Sequence, residues 1–314
     1  MCIRFVAYLF SIAVSSGIVI PSGSAAQAKR SAEASPAIAD FSRIVELSNG
    51  HKLYLECHGT GSPTVILESG LRTRGDNWSR VDLLSHPGAP VLPEVAKLAR
   101  ACTYDRPGTT LNPGEVSRSD PVSMPRTALD VVHDLHALLH AADILGPYVL
   151  VGHSFGGLFV RLYSALYPQE VSGLVLVDAL AEEIKPLFKP ADWTIFLRLN
   201  SGPLPEFENY TALETIDFDA SFDVMIKAEK SAPAGNIPVV ILVRGLFVEL
   251  PPTAPAKFGH ILERAWRKSE DQLAEAVPHT QFLVARKSGH YIQWDEPALV
   301  VQAIRDVMGQ GPRR

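Results

Sequence analysis

The sequence predicts an α/β protein with a mostly parallel β-sheet that is covered by helices on both faces. Short apolar segments, the candidate strands, alternate with longer amphipathic segments over most of the chain. Candidate strands such as Tyr148–Val151 are continuously apolar, which is typical of parallel strands that are buried on both faces. Asn49-Gly50 lies between two alternating segments and predicts a β-hairpin, so we expect antiparallel pairing at one edge. The predicted strands are Arg43–Leu47, Lys52–Cys57, Thr64–Leu67, Ala101–Tyr104, Tyr148–Val151, Leu174–Val177, Val239–Val243 and Phe282–Ala285.

The predicted helices carry apolar residues at helical spacing. In Thr127–Ala142 an apolar stripe is formed by Leu129, Val132, Leu135 and Leu139, and such a stripe packs against a core. The other predicted helices are Leu92–Arg100, Phe155–Tyr167, which ends at Pro168, and Pro297–Met308.

One long segment interrupts the alternation of strands and helices. About 60 residues separate the strands Leu174–Val177 and Val239–Val243, and they are rich in aromatic side chains. A loop of this length without secondary structure is unusual in a compact domain. We therefore expect residues 179–237 to form a small helical lid between two parts of the core, residues 41–178 and 238–314.

Composition excludes some classes of function. The chain has 314 residues, of which 46% are hydrophobic, so it can build a large core. Its formal net charge is −5 and its pI is about 6.1, which is not the profile of a nucleic-acid-binding protein. The oligomeric state is not predicted.

The N-terminus has the pattern of a secretory signal peptide. Arg4 is followed by the apolar stretch Phe5–Ile20 and then by small residues around Ala26 that suit a signal peptidase. An uncleaved membrane anchor is the alternative, but about 16 apolar residues are few for a bilayer span. We expect residues 1–28 to contain the signal peptide and its cleavage region and residues 29–40 to form a flexible leader. The mature protein is then exported, to the periplasm or the medium, without a stable membrane span.

A serine nucleophile is predicted within Gly152-His153-Ser154-Phe155-Gly156-Gly157. This is a G-x-S-x-G pattern that follows the strand Tyr148–Val151 and begins a helix, the context that the motif requires. Ser154 lies on a sharp turn with strained backbone angles, and side chains at Gly152 or Gly156 would clash where strand and helix approach. The helix N-terminus behind the serine favours developing negative charge.

These segments resemble a bacterial α/β-hydrolase of the esterase/lipase type with a lid after strand 6. The resemblance covers roughly residues 40–310. It implies the α/β-hydrolase fold, a mostly parallel eight-stranded sheet with helices on both faces and a helical lid insertion. It also implies the chain order nucleophile, acid, histidine. The segments that carry it are Pro147–Gly157, Gly173–Asp178, Ser288–Pro297, Thr64–Gly70 and Tyr104–Gly108.

His290 is the predicted general base. It lies in Ser288-Gly289-His290-Tyr291, after the last strand and before the last helix, so its loop reaches the sheet edge that carries the serine. His153, inside the nucleophile turn, is expected to form a structural hydrogen bond instead.

Three histidines on one predicted helix have the spacing of metal ligands. His133, His136 and His140 share a face with Asp130 and Asp134. The apolar stripe of that helix lies elsewhere, so we expect this face to be solvated. Neither a metal nor an organic cofactor is expected.

Two carboxylates are candidates for the acid of the triad. The resemblance places the acid after strand 7, where Val239–Val243 is followed by no aspartate and Glu249 is the nearest carboxylate. Asp178, directly after strand 6, is the alternative and the one we favour, although it could also cap the first turn of the lid. Either carboxylate could orient the imidazole and stabilise its charged form.

Two backbone N–H groups are expected to form an oxyanion hole. One belongs to Phe155, the residue after the nucleophile, and the other to Leu71, in the turn after strand 3. Arg72, Arg74 and Trp78 lie in or near that turn and either contact substrate or structure the loop. From the lid, Trp193 is a further candidate for substrate contact.

The predicted function is hydrolysis of a carboxylic-ester-like bond of a small, moderately apolar substrate. Ser154 attacks the carbonyl, His290 takes its proton, and water releases the acyl group. A lactonase or amidase would use the same triad, and a ligand-binding receptor of this fold with low turnover is the alternative from another class.

The resemblance also implies a disulfide between Cys57 and Cys102. Cleavage of the leader removes Cys2 and leaves an even pair in an oxidising compartment. In this fold the second strand pairs antiparallel with the fourth, which brings the end of one beside the start of the other. Two buried free thiols are the alternative.

Overall fold

The computed structural model describes residues 40–202, 204, 207–231, 236–248, 250–277 and 280–310. Its centre is an eight-stranded sheet in the order β1-β2-β4-β3-β5-β6-β7-β8. The predicted α/β-hydrolase fold is confirmed. The strands are β1 (Phe41–Glu46), β2 (Lys52–His58), β3 (Thr64–Glu68), β4 (Ala101–Tyr104), β5 (Tyr148–His153), β6 (Val171–Val177), β7 (Val239–Arg244) and β8 (Thr280–Ala285).

The antiparallel part of the sheet lies at its N-terminal edge, as the hairpin signal predicts. Strand β2 pairs antiparallel with both β1 and β4, and each later pair in the order is parallel. Because parallel strands end at one edge, the residues that follow β3, β5, β6, β7 and β8 are brought together there.

Helices cover both faces of the sheet. They are α1 (Val91–Ala96), α2 (Ala128–Ala141), α3 (Phe155–Leu166), α4 (Pro190–Ser201), α5 (Phe218–Ser231), α6 (Phe258–Ala276), α7 (Ile292–Asp295) and α8 (Pro297–Gln310). Within the described ranges, no helix combines the length and the hydropathy that a bilayer span requires.

Alternation along the buried strands supplies the two cores. In β5, Leu150 belongs to the core shared with α2, α3, α5 and α6, whereas Val149 and Val151 face the core shared with α1 and α8. Strand β6 repeats the pattern, with Leu174 on the first side and Val175 on the second. The near-continuous apolar strands of the sequence are therefore explained by burial on both faces.

The expected lid divides into two parts. Helix α5 packs on the flank of the core, where Phe218 lies 4.8 Å from the ring of Phe155 and Ser221 accepts a hydrogen bond from the backbone of Ala128. The end of α4 and the residues that follow it, among them Leu204, lie over the carboxyl edge of the sheet.

Cys57 and Cys102 form the expected disulfide. They are directly opposite each other in the β2–β4 ladder, with Cα atoms 4.1 Å apart, and both are fully buried. The expected signal peptide, and the leader up to residue 39, lie outside the described residues.

Candidate active site

Ser154 occupies a sharp turn between β5 and α3. Its backbone angles are φ 54° and ψ −124°, a conformation that costs a non-glycine residue free energy and is typical of functional positions. A Cβ atom at Gly152 would lie 2.5 Å from the carbonyl oxygen of Gly156, and one at Gly156 would lie 2.6 Å from the carbonyl oxygen of Ser69. Glycine is therefore required on both sides of the serine, as the sequence motif predicts.

His290 reaches the serine from the loop between β8 and α7. Its Nε2 lies 3.0 Å from the Ser154 Oγ, within hydrogen-bond distance. Two carboxylates after the loop hold it in place: Asp295 accepts from the Gly289 N–H at 2.8 Å, and Glu296 accepts from the Ser288 hydroxyl at 2.7 Å.

Among the described residues, the aromatic rings of His153, Trp266 and Tyr291 surround the His290 ring. The Trp266 ring stands edge-on to it, with centroids 5.5 Å apart. The sequence predicts a structural hydrogen bond for His153, and the Nε2 of this side chain lies 2.9 Å from the carbonyl oxygen of His290. Burial, aided by the charge of His290, lowers the pKa of His153 to about 3. His153 is therefore neutral, and its Nε2–H donates to that carbonyl group.

Asp178 is the carboxylate that the structure brings to His290. Its Oδ2 lies 2.6 Å from the Nδ1 of His290. Residues His153 and Val177 are paired in the β5–β6 ladder, so Ser154 and Asp178 occupy equivalent positions just beyond two adjacent strands. The alternative acid, Glu249, lies outside the described residues.

Arg244 is the partner of Asp178 that the sequence analysis missed. It ends β7, the strand that the resemblance expected to precede the acid. Its guanidinium donates to the Oδ2 of Asp178 at 2.6 Å, and its backbone N–H donates to Oδ1 at 3.2 Å. The guanidinium also donates to Glu263 of α6 at 2.8 Å. The sequence did contain a signal for this pairing: an arginine directly follows Val239–Val243, at the position where the resemblance places the acid.

The electrostatics of the site keep Asp178 ionised although it is fully buried. Burial alone would raise the pKa of this carboxyl, but the hydrogen bond with His290 and the charge of Arg244 outweigh it and hold the pKa well below its usual range. An ionised Asp178 can orient the imidazole and stabilise its protonated form.

A second buried carboxyl, Glu270 of α6, faces this group. Burial and the negative charge of Asp178 raise the pKa of Glu270 well above its ordinary value. Its nearest ion-pair partner is Arg267, at 3.9 Å. The protonated form of Glu270 is therefore favoured by its surroundings, in contrast to Asp178, whose ionised form is favoured.

The turn after β3 lies directly against Ser154. A Cβ atom at Gly70 would lie 3.2 Å from the Cβ of Ser154, and Leu71, the next residue, lines the same cavity as Ser154. Phe155 follows Ser154 directly and begins α3. The two residues predicted to supply the oxyanion donors therefore both lie close to Ser154.

A buried ion-pair network fixes that turn. Arg106 donates to the carbonyl oxygens of Ser69 and Gly70 at 2.9 and 2.7 Å. Its guanidinium also pairs with Glu68 and, at 2.6 Å, with Glu214 from the inserted segment 179–237, the expected lid. Because these charged groups are all buried, their mutual pairing is required. The network joins the insertion to the turn, and sequence reasoning did not find it.

A cavity of about 380 Å³ opens onto Ser154 and His290. Its walls combine apolar side chains with a similar number of polar ones, and Arg72 is among the polar ones. The described residues that line it are Gly70, Leu71, Arg72, Thr73, Thr110, Leu111, His153, Ser154, Leu199, Asn200, Leu204, Phe207, His290, Tyr291 and Trp294.

Both tryptophans that were expected to contact substrate lie away from these walls, which corrects that expectation. Trp78 is fully buried in the core shared with α1 and α8. Trp193 stacks on Phe196, with centroids 5.0 Å apart, inside an aromatic cluster of the insertion. Arg74, also near the turn, is paired with Asp76 at 2.6 Å.

Comparisons with known proteins agree with this architecture. The sequence profile described as "Alpha/beta hydrolase family" matches residues 57–303. The uncharacterized protein YqjL of Bacillus subtilis is 25% identical over 250 residues, which are 79% of this chain and 85% of YqjL. The match spans only about a quarter of the length of the relatives in Schizosaccharomyces pombe and Saccharomyces cerevisiae.

Solved structures share the fold at low sequence identity. The carboxylesterase CesB of Bacillus subtilis superposes with a TM-score of 0.57 at 16% identity, covering 87% of this chain and 93% of CesB. Est816, described as an N-acyl homoserine lactone degrading enzyme, gives a TM-score of 0.52 at 16% identity, covering 84% and 99%. The prediction of a hydrolase enzyme is confirmed, and the chain belongs to the alpha/beta hydrolase family.

Proposed function

We propose that the protein is a serine hydrolase that cleaves a carboxylic-ester-like bond of a small, moderately apolar substrate through an acyl-enzyme. The observation that carries the proposal is the continuous chain of contacts from Ser154 through His290 to Asp178, at 3.0 and 2.6 Å, on the wall of a cavity. A base within hydrogen-bond reach of the nucleophile, itself oriented by an acid, is the arrangement that nucleophilic catalysis requires.

The first half of the reaction forms the acyl-enzyme. The Ser154 Oγ attacks the ester carbonyl carbon while His290 Nε2 takes its proton, and Asp178 stabilises the imidazolium. The N–H groups of Phe155 and Leu71 stabilise the oxyanion. Collapse of the tetrahedral intermediate expels the alcohol, which receives the proton from His290.

The second half of the reaction is hydrolysis. Water loses a proton to His290 and attacks the acyl carbonyl carbon. The second tetrahedral intermediate then expels the Ser154 oxygen, which regains its proton from His290. The carboxylic acid leaves, and the enzyme returns to its starting state.

The cavity supports a small substrate of mixed polarity. Leu111, Leu199 and Phe207 offer apolar contact, and Thr110 and Asn200 offer hydrogen bonds. A volume of about 380 Å³ lies near the lower end of the range for small-molecule sites.

A substrate screen and a covalent probe together test the function. Purified protein is assayed with chromogenic esters, lactones and amides of several chain lengths, and is labelled with a fluorophosphonate. We expect ester turnover and labelling, both lost in Ser154→Ala. Ser172→Ala, in the same sheet but at the opposite edge, is the matched control and should keep both. Labelling that persists in Ser154→Ala would overturn the nucleophile, and labelling without turnover of any ester would favour a receptor of this fold.

We also propose that the protein is exported. The signal-peptide pattern of residues 1–28 supports this location, and so does the disulfide between Cys57 and Cys102. Fractionation of the producing cells, with the N-terminal sequence of the mature protein, tests it: we expect cleavage before residue 29. Full-length protein that remains in the cytoplasm would refute export.

A further inference from the structure

A cluster of two histidines and one glutamate lies at the edge of the sheet opposite to the candidate active site. His136 and His140 are one turn apart near the C-terminal end of α2. Glu170 lies immediately before β6, at the amino edge of the sheet. One ligand atom from each of the three side chains lies within 4.8 Å of the others.

The contacts in this cluster converge on one oxygen atom. The Nε2 atoms of His136 and His140 lie 3.1 and 3.3 Å from the Oε1 of Glu170. In a tetrahedral zinc site with metal–ligand bonds of about 2.0–2.1 Å, neighbouring ligand atoms are about 3.3 Å apart. The two histidine–glutamate distances therefore match those of a metal site, and the three ligand atoms all lie within 4.8 Å of one another.

The surroundings of Glu170 resemble the outer shell of a metal site. Its second oxygen, Oε2, accepts a hydrogen bond from the phenol of Tyr163 at 2.6 Å, and Tyr163 is fully buried. Outer-shell hydrogen bonds of this kind fix the orientation of a ligating carboxylate. The His136 ring is held in a similar way, stacked on Tyr167 with centroids 3.8 Å apart.

The aspartates on the same helix are engaged elsewhere. Asp130 caps α2 through Thr127, and Asp134 is paired with Arg126 at 2.6 Å. Neither is part of the cluster, so the carboxylate comes from a segment 30 residues after His140.

We propose that His136, His140 and Glu170 bind one divalent transition-metal ion, with Zn²⁺ as the expected ion. Two imidazoles and one carboxylate form a donor set that suits Zn²⁺. The His140 side chain is 52% exposed, so an ion can enter from solvent and water can complete the coordination. The ion would tie the end of α2 to the connection between α3 and β6.

Calorimetric titration of the protein with Zn²⁺ tests the site. The protein is used in full and without a histidine tag, after removal of metals with a chelator. We expect one Zn²⁺ per chain and a rise in the melting temperature when the ion is present. His140→Ala and Glu170→Gln should each weaken binding by at least the roughly tenfold that the loss of an outer-shell partner costs. His133→Ala, an exposed histidine one turn earlier on the same helix, is the matched control and should bind as the unchanged protein does.

Two results would overturn the proposal. One is the absence of Zn²⁺ binding, which would leave the cluster as a hydrogen-bonded group. The other is equal binding by the unchanged protein and Glu170→Gln, which would indicate a pair of surface histidines alone. Because the side chain of His140 is half exposed, His140→Ala gives a folded comparison even if Glu170→Gln is unstable. Ester hydrolysis should not change in any of these variants, since the cluster is at the far edge of the sheet.

Discussion

Replacing Asp178 by asparagine tests the central pair of contacts in the site. The change keeps the shape of the side chain but adds two N–H donors. If the amide oxygen takes the place of Oδ2, it still accepts from His290 and Arg244, but the amide nitrogen then faces the Arg244 backbone N–H at about the 3.2 Å of the present contact. If the amide is reversed, its nitrogen faces the guanidinium at about 2.6 Å. In either orientation, an N–H group of the asparagine faces an N–H group of Arg244, and one hydrogen bond is lost.

The cost to catalysis follows from the loss of the negative charge. Without Asp178 the imidazolium of His290 is no longer stabilised, and a reversed amide selects the wrong imidazole tautomer. We expect kcat to fall roughly 10²–10⁴-fold, equivalent to about 2.7–5.4 kcal/mol of transition-state stabilisation. The protein should also be less stable by roughly 3 kcal/mol, the lower end of the cost of breaking a buried ion pair, because Arg244 keeps its contact with Glu263.

Steady-state hydrolysis of a chromogenic ester measures the first effect, and urea unfolding measures the second. Glu249→Gln is the matched control and should retain activity, since among the described residues Asp178 is the carboxylate that contacts His290. An Asp178→Asn variant within tenfold of the unchanged enzyme would refute the assignment, above all if Glu249→Gln were strongly impaired.

Three further predictions concern the disulfide, a buried carboxyl and the insertion. Replacing Cys57 and Cys102 by serine should lower the free energy of unfolding by about 4 kcal/mol, the chain-entropy value for a loop of 45 residues; equal urea midpoints for the two proteins would contradict this. Burial and the negative charge of Asp178 raise the pKa of Glu270 above its ordinary value of 4.5, so stability should fall as the pH rises above 4.5, and Glu270→Gln should weaken this fall. Parallel urea-unfolding profiles of the two proteins between pH 5 and 8 would disprove it. Trp193→Ala should cost about 3 kcal/mol of stability without altering acyl-chain preference, whereas Phe207→Ala, in the cavity wall, should alter that preference; a changed preference in Trp193→Ala would restore its role in substrate binding.

Local patterns in the sequence predicted those parts of the site that local geometry determines. Ser154 could be found because the sharp turn that carries it leaves a short motif in the sequence, with glycine on both sides of the serine and a strand and a helix around them. His290 could be found because a loop after the last strand must reach the same sheet edge. The sequence could not decide between Asp178 and Glu249, because the choice depends on which strand end faces the imidazole.

The sequence analysis failed where long-range packing decides the outcome. From the sequence alone, Trp193 could line a substrate pocket or pack inside the segment 179–237. Its contacts with neighbouring rings, which the structure shows, place it inside that segment. Helix α6 was not predicted, although Phe258, Leu262 and Trp266 repeat at four-residue spacing. Its many charged residues include Glu263, whose ion pair with the arginine at the end of β7 is visible only once the chain is folded.

The ladder between β5 and β6 has a consequence for how the site assembles. Since His153 pairs with Val177, the nucleophile and the acid are set at a fixed separation by the hydrogen bonds of a single strand pair. Any twist of the sheet moves the two together, so their spacing is preorganised before the substrate arrives. The base alone comes from a distant part of the chain, 112 residues after the acid. Beyond this strand pair, the geometry of the triad therefore depends on the loop that carries His290, which Asp295 and Glu296 hold in place.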